Sequence, residues 1–175
     1  MESAGHGIET FLRDIALCLS VSRGTSPALV WPRGGEMVLG RLAPPGPRTA
    51  CSPTAADVLA ARLQRDSNTT ELTSGLGAWL EAGVDAAFRS VPPGRSSDSL
   101  PEEADLLLLP VRGGCHAHVE PPRDHLVPPP AGRPLGLRLR VGSAFYVPAG
   151  FTTTLSEAHA PCVLLVLSVH GAPRP

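Results

Sequence analysis

The side chains best suited to chemistry stand at alternate positions in two short segments. His116, His118 and Glu120 form one series, and alternate residues of a β-strand lie on one face of a sheet. Imidazole and carboxylate groups in this pattern could ligate a metal ion, or could simply be solvated or hydrogen-bonded surface groups. Arg138 and Arg140 form the other series, and a planar guanidinium pairs well with a carboxylate. Alternatively, both arginines face solvent, and the leucines that alternate with them face the core.

The composition excludes several other kinds of chemistry. All 15 basic residues are Arg, so neither a Schiff base nor a lysine phosphate clamp can form. The net charge of -1 provides no field for nucleic acid or an anionic membrane, and neither partner is expected. No segment reaches the roughly 20 apolar residues that cross a bilayer. The cysteines are scattered and show no C-x-x-C pair, which predicts free thiols in a reduced, cytoplasmic protein.

The section from residue 1 to 95 is predicted to be mainly helical. Apolar residues at helical spacing predict an amphipathic helix over residues 8 to 20. Ser52-Pro53 supplies a capping side chain and a proline suited to the first helical position, which predicts a second helix through Leu63. A further apolar series predicts a third helix from Leu72 to Phe88. Two short strand candidates complete this section: Ala28–Trp31 and Glu36–Leu39.

Residues 104 to 170 show a different pattern, with short apolar or alternating runs separated by Gly and Pro. Such runs are typical of strands in a sandwich or a small barrel. The runs are Ala104–Val111, Cys115–Glu120, Leu135–Val141, Ala144–Val147 and Cys162–Val169. The predicted fold class is therefore α+β, in which the helical section packs on a β-rich core within a single structural domain.

One segment of the β-rich part carries a known type of motif. After Gly142 come five residues, then Pro148-Ala149-Gly150, then a strand that includes Thr153. This order predicts a tight turn on each side of a short buried strand. The segment resembles the second motif of cupins, and of JmjC-like cupins in particular, where a metal-binding His stands at the position of Thr153. The resemblance implies a cupin-type double-stranded β-helix, or jelly-roll barrel, over residues 104 to 170.

The histidine segment is similar to the first motif of the same family. In that motif a His-x-Asp or His-x-Glu supplies two metal ligands, so the resemblance assigns these roles to His118 and Glu120. An alternative alignment uses His116 and His118 as the His-x-His of other cupins. That alignment lacks the Glu expected four or five residues later.

The resemblance implies the chemistry of an Fe(II)/2-oxoglutarate oxygenase, whose iron is held by two His and one carboxylate. Thr153 is a poor replacement for the second His, which predicts weak iron binding or none unless His159 takes its place. The family commonly binds the far carboxylate of 2-oxoglutarate through a Lys, which this chain lacks. Arg138 or Arg140 could serve as that cation instead.

Three functions remain open at this point. The first is a JmjC-like cupin with a degenerate metal site and no cofactor, which works as an accessory or binding module. The second is an Fe(II)/2-oxoglutarate-dependent dioxygenase that hydroxylates a protein, a peptide or a natural-product scaffold. The third is a non-oxidative cupin that binds a small molecule. The expected partner is a small molecule or peptide in the barrel mouth, and a homodimer is a further expectation.

Overall fold

The computed structural model describes the backbone of residues 3–43, 55–97, 99–100, 103–122, 134–156 and 160–171, with side chains from residue 7 in the first range and from residue 63 in the second. In chain order its elements are α1 (Ser3–Ser22), β1 (Ala28–Val30), α2 (Gly35–Leu42), α3 (Ala55–Leu80), β2 (Gly83–Val91), β3 (Asp105–Arg112), β4 (Gly114–Glu120), β5 (Leu135–Arg140), β6 (Ala144–Val147), β7 (Thr152–Ser156) and β8 (Cys162–His170). None of these helices is long and apolar enough to span a membrane.

The strands form two antiparallel sheets. One has five strands in the order β1-β6-β3-β8-β2, and the other has three in the order β5-β4-β7. Every neighbouring pair is antiparallel. Together with the helices, these sheets confirm the predicted α+β class. The winding of a double-stranded β-helix stays a prediction.

Strands β3, β6 and β8 are covered on both faces and separate two hydrophobic cores. On β6, Tyr146 belongs to the core shared with the helices, and Phe145 belongs to the core between the two sheets. On β3, Leu107 and Leu108 divide in the same way. Successive side chains of a strand point to opposite faces, so a strand buried on both sides needs an unbroken apolar run. The burial of β3 on both faces therefore explains the four consecutive leucines from residue 106 to 109.

Helix α1 contains the predicted helix over residues 8 to 20 and buries its apolar stripe. Phe11, Ile15 and Leu19 are at most 2% exposed. On the polar side, the Asp14 carboxylate accepts hydrogen bonds from the Arg33 guanidinium and backbone N–H at 2.8 to 3.0 Å. These bonds lower the pKa of Asp14 to about 2. They tie α1 to the loop that leads into α2.

The strand predicted over Glu36–Leu39 is wrong, because this segment lies in helix α2. The helix follows Gly34, whose φ of 71° turns the chain, and it buries Val38, Leu39 and Leu42 on one face. A window of four residues was too short to show that helical spacing.

The helix predicted from Leu72 to Phe88 is wrong beyond Leu80. Helix α3 runs without a break from Ala55, so two predicted helices are one, and its predicted start at Ser52-Pro53 lies outside the described residues. Gly83–Val91 forms β2, in which every residue pairs with β8. Pairing along the full strand outweighs a helical periodicity that was already weakened by three glycines, Gly75, Gly77 and Gly83.

Candidate functional site

The space between the two sheets is filled with apolar side chains. Its members from the five-stranded sheet include Phe145 and Leu164, and both are fully buried. The three-stranded sheet contributes residues that are at most 1% exposed: Cys115, Ala117, Val119, Leu139 and Leu155. A ligand between the sheets would have to displace this packed layer.

Strand β4 directs its apolar residues inward and its polar residues outward. Cys115, Ala117 and Val119 face the core, so the alternate residues lie on the outer face of the sheet. The side chains of His118 and Glu120 are each 48% exposed, and His118 Nε2 lies 3.4 Å from Glu120 Oε1. The two residues that the family resemblance named are therefore neighbours, but they are neighbours on the surface.

Thr153 lies on the other side of the same sheet. It is fully buried on β7 and stands opposite Val119, whereas His118 is opposite Thr154 and Glu120 is opposite Thr152. The sheet separates the Thr153 side chain from the His118 and Glu120 side chains. The three do not surround a common point, and His159 lies outside the described residues.

The two arginines share the outer face. Arg138 and Arg140 are both exposed, and Leu139 between them is fully buried. Arg138 stands opposite His116, which has the same outward parity as His118. This is the solvent-facing alternative, in which neither guanidinium reaches the space between the sheets.

The inward donor groups do not fit the iron site of a 2-oxoglutarate oxygenase. On the described strands β4, β5 and β7, the core-facing side chains include the Thr153 hydroxyl and the Cys115 thiol, with no imidazole and no carboxylate. A two-His-one-carboxylate site needs three such ligands on one face of the metal. Within the described ranges, no group of three or more His, Cys, Asp and Glu is arranged to hold a metal ion.

A thiol pair inside the β-rich core was missed by sequence reasoning. Cys115 on β4 and Cys162 on β8 are 1% and 0% exposed, and both are free. A hydrogen bond between them, together with burial, raises the pKa of Cys115 above its ordinary value. The two cysteines are far apart in the sequence, and no C-x-x-C signal marks them. Only the packing of one sheet on the other brings them together.

A cavity of about 490 Å³ lies among the helices, on the other side of the five-stranded sheet from the thiol pair. This volume falls within the usual range for small-molecule pockets. Its lining combines apolar and polar groups, including Ile8, Val38, Arg41, Leu42, Glu71 and Leu72. Sequence analysis missed it because three separate helices supply the lining.

Comparison with known proteins gives partial structural similarity only. The sequence matches no family profile and no curated protein. Vicilin from hazelnut, Corylus avellana, aligns over 51% of this chain and 24% of its own, with 18% identity and a TM-score of 0.44. Streptomyces albus HEPD, solved with 2-hydroxyethylphosphonate and Fe(II), aligns over 53% and 19%, with 21% identity and a TM-score of 0.41. The Drosophila melanogaster CENP-C cupin domain aligns over 48% and 59%, with 14% identity and a TM-score of 0.39.

These structural neighbours are cupin-fold proteins. They include enzymes, such as salicylate 1,2-dioxygenase and oxalate decarboxylase, as well as the CENP-C cupin domain. Each of the three alignments described above covers less than two thirds of the other chain. A specific relation to JmjC-like cupins stays a prediction.

Thr153→Val is expected to raise the free energy of unfolding by about 1 to 2 kcal/mol, because it removes a buried polar group that has no partner. The Thr153 Oγ1 atom is buried and has no hydrogen-bond partner among the residues that the structure describes. Valine keeps the branched shape and replaces the hydroxyl with a methyl group. Urea denaturation measures the change, and Thr154→Val on the outer face is the matched control, expected to change stability little. A loss of stability in Thr153→Val would mean that the hydroxyl has a partner.

Proposed function

We propose that this chain is a cupin-like accessory or binding module that does not carry out iron-dependent oxygenation. One observation carries the proposal: β4 and β7 direct apolar residues, a thiol and Thr153 inward, while His118 and Glu120 face solvent. The inner faces of these strands therefore lack the donor set that Fe(II) requires.

A change of strand register does not offer an easy route to an iron site. Turning His118 and Glu120 inward requires β4 to slip by one residue against its neighbours, which reverses every side chain on the strand. Cys115, Ala117 and Val119 would then be exposed, although each is now at most 1% exposed. The two polar residues would replace them in an apolar layer, where an uncompensated charge costs several kcal/mol.

The binding of 2-oxoglutarate meets a second obstacle. Its far carboxylate needs a cation inside the fold, and the two residues proposed from the sequence, Arg138 and Arg140, are exposed on the outer face. An arginine on that face cannot reach a chelate held between the sheets. The positions of the proposed iron ligands and of the proposed 2-oxoglutarate cation therefore both argue against iron-dependent oxygenation.

We propose that the partner is a small molecule or peptide held at the rim of the sheets or on the outer face of the three-stranded sheet, because the space between the sheets is filled and the helices cover the other face of the five-stranded sheet. The outer face of the three-stranded sheet offers suitable polar groups. Across β4 and β7 these include His118 beside Thr154 and Glu120 beside Thr152. Neutral hydroxyls next to an imidazole and a carboxylate can both donate and accept hydrogen bonds.

The test is an anaerobic titration of the full chain with Fe(II) and excess 2-oxoglutarate. The visible charge-transfer band of the chelate and the heat of binding are recorded together. We expect neither signal in the wild type or in His118→Ala, while an authentic Fe(II)/2-oxoglutarate oxygenase gives both under the same conditions. Far-UV circular dichroism verifies that each sample is folded. A band that is present in the wild type and absent from His118→Ala would overturn the proposal.

A further inference from the structure

Strand β2 ends the five-stranded sheet, and no strand among the described residues pairs with its outer edge. It has nine residues, of which seven are exposed. All nine pair with β8 in regular register, so on the far side alternate N–H and C=O groups point away from the sheet. Such a row of backbone groups is a template for another strand.

Two other edges of the described sheets are short or covered. Strand β1, at the opposite end of the five-stranded sheet, has three residues. The outer edge of β7 is occupied by the segment that contains Ser97 and Leu100, whose N–H groups donate to the Leu155 and Thr153 carbonyls at 2.7 and 2.9 Å. The edge of β2 is longer than either of these.

Strand β2, which the structure describes in full, carries few of the features that protect an edge. It contains no Pro and no Lys, and its pairing with β8 has no bulge. Its charged residues are Asp85 and Arg89, which are four positions apart and therefore lie on one face. The Asp85 side chain contacts His170, with Oδ2 at 3.0 Å from Nε2. It is nevertheless 85% exposed, so its carboxylate remains accessible from solvent.

We infer that β2 pairs antiparallel with β2 of a second copy of this chain, around a twofold axis at Ala87. In this arrangement Asp85 of each copy stands directly opposite Arg89 of the other, which gives two equivalent ion pairs across the edge. Opposite charges at facing positions stabilise strand pairs, and a twofold interface uses the same patch on both copies. The five-stranded sheets would then join into one continuous sheet.

The charge pattern selects this register over its neighbours. A twofold axis perpendicular to the sheet places the same face of both β2 strands on the same side. The allowed registers therefore differ by moving the axis along β2 one residue at a time, and each such step changes the residue opposite Asp85 by two positions. With the axis at Ala86, Asp85 would face Ala87, and with the axis at Phe88, Asp85 would face Val91. Neither neighbour pairs the charges.

The other face of β2 also fits the Ala87 register. There Phe88 of one copy stands opposite Ala86 of the other, so each large side chain meets a small one. Phe88 is 38% exposed, and the centre of its ring lies 5.5 Å from the Arg65 guanidinium carbon on helix α3. A second strand would cover part of that exposed ring. The inferred interface lies on a different sheet from His118 and Glu120, so it does not depend on the proposed function.

Sedimentation velocity of the full chain over a range of concentrations tests this inference. We expect a reversible dimer in the wild type. Asp85→Arg places two cations opposite each other, and Arg89→Asp places two carboxylates opposite each other. Because the change acts twice by symmetry, each single variant should raise the dimer dissociation constant roughly tenfold or more. The double variant Asp85→Arg/Arg89→Asp restores opposite charges and should recover most of the loss.

The matched control is Arg138→Asp, a reversal of an exposed charge on β5 in the other sheet, which should leave dimerisation unchanged. Thermal unfolding by circular dichroism verifies that all variants fold. A monomeric wild type would overturn the inference, and so would a dimer that the single variants do not weaken. Single variants that weaken the dimer without recovery in the double variant would contradict the Ala87 register.

Discussion

Gly35→Ala is expected to lower the free energy of unfolding by about 3 kcal/mol, because the new methyl group meets backbone rather than a movable side chain. A Cβ at Gly35 would lie 2.5 Å from the Gly142 carbonyl oxygen and 3.2 Å from Gly142 Cα. The first turn of α2 thus packs directly on the turn between β5 and β6. Chemical denaturation followed by circular dichroism gives the change in free energy.

Gly40→Ala provides a control within the same helix. Gly40 is exposed, and a Cβ there would meet nothing within 4 Å. Replacing a helical glycine with alanine in open space should stabilise the protein by roughly 0.5 to 1 kcal/mol. The two substitutions therefore have opposite expected signs. Equal effects at the two positions would contradict the close approach of α2 to Gly142.

The elements around Gly142 were predictable because local chemistry defines them. Gly142 and Gly150 have φ values of 93° and 89°, in the region that favours glycine, and they frame the buried strand β6. The apolar stripe of α1 was predictable for a similar reason, since its spacing fits a helix with one buried face. In both cases a few neighbouring residues are enough to predict the element.

The orientation of β4 was not predictable from the resemblance alone. Alternation shows that His116, His118 and Glu120 share one face, but it does not say which face is buried. The apolar character of the intervening residues, Cys115, Ala117 and Val119, favours burying them, and the structure buries them. The short His-x-Glu motif predicted an inward orientation for the polar series, whereas the apolar alternation of β4 determines which side chains are buried.

Other parts of the fold depend on contacts between distant residues. The assignment of Gly83–Val91 to a strand follows from its pairing with β8, which no local window contains. The meeting of Cys115 and Cys162 depends on how the two sheets stack. Glu81, with a φ of 50°, marks the change from α3 toward β2, but a glutamate gives no sequence signal for that backbone conformation.

Phe11→Ala and Phe145→Ala are each expected to lower the free energy of unfolding by about 3 to 5 kcal/mol, because each leaves a cavity in a packed core. Both rings are fully buried, but they belong to different cores on opposite sides of the five-stranded sheet. Strands β3, β6 and β8 contribute side chains to both cores. Loss of either core should therefore destabilise helices and sheets together.

A single cooperative transition is the decisive result for these two variants. Far-UV circular dichroism follows the helices and sheets, and tryptophan fluorescence follows Trp31 and Trp79, so both probes should give one common midpoint in each variant. Leu17→Ala on α1, where the side chain is 60% exposed, is the control and should change stability by no more than about 0.5 kcal/mol. If Phe11→Ala melted the helices while the sheets stayed folded, the two cores would be independent, and the prediction of one structural domain would be wrong.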